Sequence, residues 1–108
     1  MNKFVVSVRP DGNVRKERVP EGADLLSVIQ LLCGGYIEIV ETVFGGDVVM
    51  AVDEEGKIKG LPVNPAATAV LSPIYEDAIC GTAVILSRGE EDLETLPEDF
   101  AEYLVRFI

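Results

Sequence analysis

The chain has 108 residues and 11.7 kDa, enough for one domain over 1–108 and too little for two. Apolar residues make up 48 % and charged residues 26 %, while nineteen acidic against nine basic side chains give a net charge of -10. With two cysteines, no histidine, no tryptophan and no apolar run near the ~20 residues of a membrane span, these numbers exclude a transmembrane protein, a secreted disulfide scaffold and a free basic nucleic-acid binder.

Met1-Asn2-Lys3 leads directly into a β-branched run, Phe4 to Arg9, which reads as a strand and not as a signal peptide. Pro10-Asp11-Gly12-Asn13 is a turn, and Val14 to Val19 alternates with charge like an exposed strand, so the first two elements predict a hairpin. From about Ala23 to Cys33 the period changes. Leu25, Val28, Ile29 and Leu32 share one helical face, and Leu26 and Leu31 widen it, which predicts a helix covered on most sides. Asp24 sits in its first turn and Gly34-Gly35 stops it.

Tyr36 to Val43 alternates, with Ile37, Ile39 and Val43 on one face and Tyr36, Glu38 and Thr42 on the other. Gly45-Gly46 turns the chain into Asp47–Asp53, an apolar run suited to a central strand, and Asp53 to Lys57 turns it again. Asn64-Pro65 reads as N-cap and first position of a short helix through Leu71, ended by Ser72-Pro73. Ala78 to Ser87 is a buried strand. Thr95-x-x-Glu98 has the capping-box spacing, and Phe100, Leu104, Phe107 and Ile108 form the stripe of a last helix. The expected fold is α+β: a mainly antiparallel five-stranded sheet packed by about three helices, ordered ββαββαβα.

Charge is unevenly spread: residues 1–20 hold five basic and two acidic groups, and the rest four basic and seventeen acidic. A surface this negative repels phosphate backbones, so direct nucleic-acid binding is not expected; it suits solubility, or competition with nucleic acid for a basic protein groove. Cys33 and Cys80, 47 residues apart in apolar stretches, read as free thiols of a reduced cytoplasm, with a single bridge as the alternative.

Two blocks stand out, Gly34-Gly35-Tyr36-Ile37-Glu38 and Glu54-Glu55-Gly56-Lys57-Ile58-Lys59-Gly60-Leu61-Pro62-Val63-Asn64. In order and spacing they resemble small single-domain proteins of unknown function coded by bacteriophages and mobile elements of Gram-positive bacteria. The resemblance spans most of the chain and implies a fold and an origin, but no activity.

The first block reads either as a helix cap leading into a strand or as a surface where Tyr36 and Glu38 meet a ligand or partner. Gly34, Gly35 and Gly60 are structural turns on either reading. The second lacks the glycine of a phosphate-binding loop, since Ala51 stands there; Lys57 and Lys59 would supply point charges for an anion, with Asn64 capping the helix behind them. Seven acidic residues between 90 and 102 lack the spacing of a calcium loop. Without histidine there is no ordinary near-neutral base, which leaves Glu38, Glu41 and Asp53 as the candidate carboxylates and makes an enzyme the weaker expectation.

The expectation is thus a non-enzymatic, cytoplasmic accessory protein without cofactor, metal site or membrane contact. It would bind a partner protein or small ligand through Tyr36, Glu38, Lys57, Lys59 and Asn64, and pair into a homodimer through a sheet edge. The alternatives are an acidic DNA-mimicking anti-restriction protein and a module that sequesters a nucleotide-like anion.

Overall fold

The computed structural model describes residues 3–108; the reading of Met1-Asn2 as no leader lies outside that range. The elements are β1 (Lys3–Val8), β2 (Val14–Val19), α1 (Leu25–Cys33), β3 (Ile37–Glu41), β4 (Val48–Asp53), α2 (Pro65–Val70), β5 (Ala83–Arg88), β6 (Leu93–Glu94) and α3 (Glu98–Phe107). The five long strands lie in the order β2-β1-β5-β4-β3, and every pairing is antiparallel. The α+β class and its three helices stand as expected. The two-residue β6, which continues β5 as a hairpin, makes a sixth strand.

The sheet is covered on both faces, and the period of 2 in its strands divides the core in two. Val5, Val49, Ala51, Val84 and Leu86 meet Ile29 and Cys33 of α1 on one face. Phe4, Val6, Val8, Val40, Met50, Val52 and Ile85 meet α2 and α3 on the other, through Ala67, Val70, Ala101 and Leu104. β4 and β5 are consequently buried on both sides, which is why they read as continuous apolar runs. However, β5 begins only at Ala83: the expected strand residues 78–82 lie outside it and make a single bridge, Cys80 with Val63.

Local chemistry sets the ends. Asp24 is the N-cap of α1, not a first-turn residue: its carboxylate accepts from the Ser27 N–H at 3.3 Å and from the Ser27 hydroxyl at 2.7 Å. Leu26 and Leu31 do not widen the buried stripe. Leu31 is 84 % exposed, because the sheet covers one side of α1 and nothing among the described residues covers the other. Val43 likewise falls beyond the end of β3 and is exposed. Thr95 does not cap α3. Leu96 instead donates its N–H to the Phe4 carbonyl at 2.7 Å, which holds the chain extended until Pro97, the N-cap, and the acidic Glu98 and Asp99 then meet the positive end of the helix. Phe107 is half exposed and stacks on Tyr103, while Leu104 and Ala101 carry the burial of α3. No described helix is long and apolar enough to cross a membrane.

Candidate functional site

The two sequence blocks meet at one end of the sheet. Gly34 ends α1 with φ 91, and the N–H groups of Gly34 and Gly35 both donate to the Gln30 carbonyl, at 2.8 and 3.2 Å. Gly35 lies where the end of the Lys59 side chain passes. A Cβ there would stand 2.8 Å from the Lys59 Nζ, which lies against the bare backbone. That ammonium donates to the buried Asp53 carboxylate at 2.7 Å and to the Gly34 carbonyl at 3.4 Å. The hydrogen bond from Lys59 holds the Asp53 carboxyl below its ordinary range, and the same bond raises Lys59. Tyr36 joins the knot through its carbonyl, which accepts from the Glu54 N–H at 3.0 Å, while its ring is 74 % exposed.

The chain from Asp53 to Leu61 is a succession of tight turns. The Gly60 N–H donates to the Lys57 carbonyl at 3.0 Å, and Gly60 has φ 71. Gly56 is pressed against the next segment, since a Cβ on it would come within 2.7 Å of the Cys80 carbonyl oxygen.

Between this turn, the outer ends of β3 and β4, and the segment 71–80 lies a cavity of about 300 Å³. Its floor is apolar: Val40, Val52, Leu71 and Ile79. Its rim is charged, carrying Glu38, Glu54 and the ion pair of Lys57 with Asp77. Neither Glu38 nor Glu54 has an ion-pair partner among the described residues. Tyr75 closes one wall, its hydroxyl accepting from the Glu41 N–H at 3.1 Å, and Ile58 stands at the mouth, 86 % exposed. A volume of this size is at the small end of ligand sites and admits one long side chain or a small molecule.

The five residues expected at the site are therefore divided. Glu38 and Lys57 line the cavity. Tyr36 is exposed outside it, and Lys59 is turned back on Asp53. Asn64 is a correction: it has no exposed surface, so no ligand reaches it. Its amide donates to the carbonyls of Val8 and Gly81 at 2.8 and 2.9 Å, and its oxygen caps α2 through Ala67 N–H at 3.0 Å. Cap and anion site compete for the same helix end, and the cap has it. Of the candidate carboxylates, Glu38 stands at the rim without an ion-pair partner among the described residues, Glu41 lies beside Tyr75, and Asp53 is consumed by Lys59.

Sequence reasoning missed Glu54, Ile58, Tyr75, Asp77 and Cys80 as cavity residues. Only Glu54 and Ile58 had a signal, because they belong to the second block. Cys33 and Cys80 are free thiols on opposite faces of the sheet, so no bridge joins them. Cys33 donates to the Ala51 carbonyl, and burial pushes it up to about 12. Among the described residues, no three Cys, Asp or Glu side chains gather in a metal-binding arrangement.

No curated protein and no solved structure gives a significant match to the chain. One family model does, that of a domain of unknown function (DUF3846), and it matches residues 1–108. With the whole of its length covered, the chain belongs to that family.

Proposed function

We propose that this is a non-enzymatic accessory protein of a phage or integrated element, which binds a partner protein by taking a lysine or arginine side chain into the cavity beneath Glu38. The carrying observation is the pairing of an apolar floor with two carboxylates at the rim, Glu38 and Glu54, that have no ion-pair partner among the described residues. A basic side chain has an apolar stem and a charged head, and fits both. The exposed Ile58 and Tyr36 supply apolar contact around the mouth. The anion-sequestering alternative loses support here, because Lys57 and Lys59 are each paired with an aspartate.

A second reading draws on one further observation. Asp47, Glu90, Glu91, Asp92 and Glu94, with Arg88 as the one basic residue among them, surround a shallow depression at the β5–β6 end, a predominantly acidic surface of the kind that would compete with phosphates for a basic nuclease groove.

Affinity capture with the native chain and with a Glu38→Lys, Ile58→Ser variant separates the two. Both positions are exposed, so the variant keeps its melting temperature. Cavity recognition predicts that the variant loses the captured partner; retention of the same partner by the variant contradicts it and favours the acidic depression.

A further inference from the structure

The sheet has two edges, and they are treated differently. The β2 edge carries Arg15, Lys16 and Arg18, charges of the kind that discourage strand pairing. The β3 edge carries no basic residue and no proline. Tyr36 accepts from Glu54, and the register continues as Glu38 with Val52 and Val40 with Met50, so the intervening residues turn their backbone groups outward. Three residues do so: Ile37, Ile39 and Glu41. Glu41 is satisfied, its N–H by the Tyr75 hydroxyl and its carbonyl by the Ser72 N–H at 3.0 Å. The N–H and C=O groups of Ile37 and Ile39 meet no partner among the described residues.

This opening lies directly beside the cavity, because Glu38 stands between the two isoleucines and lines it. We infer that the β3 edge accepts an extended segment of a partner protein as an added antiparallel strand, with an apolar–basic–apolar triplet in which the basic residue lies opposite Glu38. The inference rests on the cavity reading above and names how the partner is held. The apolar residues would face Ile37 and Ile39, which pack with α1 on the other side of the sheet. The basic one would sit across a non-hydrogen-bonded pair from Glu38, the closer kind of cross-strand neighbour.

A second copy of this chain is a poor occupant. Twofold pairing that uses the open groups of both isoleucines, Ile37 against Ile39 of the other copy, would set the two Glu38 carboxylates against each other, on chains that each carry a net charge of -10. Charge complementarity selects a basic segment instead.

Amide hydrogen exchange read by NMR tests this with a short capped peptide alternating valine and lysine, and a matched peptide with glutamate for lysine. The lysine peptide at saturation should slow exchange at Ile37 and Ile39 by about tenfold or more and shift Val40, Val52 and Ile79. The glutamate peptide should do neither. Glu38→Lys should reverse the preference by about five- to tenfold, and its gain of the glutamate peptide shows in itself that the variant is folded. Shifts at the cavity without protection of Ile37 and Ile39 would overturn strand addition and leave the cavity reading standing. Neither response would overturn both, and equal protection by the two peptides would overturn the charge selection.

Discussion

The Asn64 side chain satisfies three backbone groups that no water reaches, and its removal should be among the costliest changes in the chain. Asn64→Ala loses a helix cap and the amide's two bonds to the Val8 and Gly81 carbonyls, an expected loss of about 3 kcal/mol by chemical denaturation. The capping role is legible from Asn64-Pro65 alone. The other two bonds are not, because their partners lie 56 and 17 residues away and only the tertiary fold brings them near. Cysteine chemistry separates as sharply. With its thiol pushed up to about 12 and buried, Cys33 should resist alkylation at pH 8 in the folded protein, while the half-buried Cys80 reacts. Mass spectrometry should therefore find one label natively and two after unfolding; two native labels would contradict the burial of Cys33. The Asp53–Lys59 pair gives a pH signature. Lowering of the Asp53 carboxyl contributes stability that is present above its ordinary 3.8 and lost as pH falls through the folded value. Raising of Lys59 contributes stability present below 10.5 and lost as pH rises through its folded value. The melting difference between the native chain and Asp53→Asn should hence be widest at neutral pH and narrow below about pH 4.

At the scale of elements, what the sequence discloses depends on how local the cause is. The first hairpin, the β3–β4 hairpin, α2 and the stop of α1 at Gly34 are written in turns and caps a few residues long, and all form, with β3 ending at Glu41, short of the expected Val43. Errors gather where a distant contact decides. Leu96 is drawn out by Phe4 and moves the start of α3 past Thr95; Leu31 is exposed because the sheet covers one side of α1. The turn between β4 and α2 is the element most sensitive to change. Gly56→Ala would force a Cβ against the Cys80 carbonyl, which is backbone and yields poorly, so a loss of about 2 kcal/mol is expected in denaturation and the cavity should deform with it. Leu31→Glu on the open side of α1 should change stability by no more than about 0.5 kcal/mol.

Over the whole molecule, strand order was the part least open to sequence reasoning. Nothing local states that β5 inserts between β1 and β4, yet this insertion carries the segment 71–80 across the β3–β4 hairpin and so makes the cavity. Half of the candidate site was legible for the same reason: Glu38 and Lys57 belong to blocks visible in the chain, while Tyr75 and Asp77 reach the cavity only through that topology. The net charge of -10 acts on the molecule as one body, and added salt should raise the melting temperature by screening self-repulsion; a fall would mean that ion pairs such as Lys59–Asp53 and Lys16–Glu102 outweigh it. The proposed preference of the cavity for a cation is tested most directly by NMR titration of the native chain with capped arginine amide and capped glutamate amide. Arginine should move Val40, Val52, Ile58 and Ile79 together and saturably, with the effect lost in Glu38→Gln. Equal movement by glutamate, or arginine shifts scattered over the acidic surface with Glu38→Gln unaltered, would contradict it.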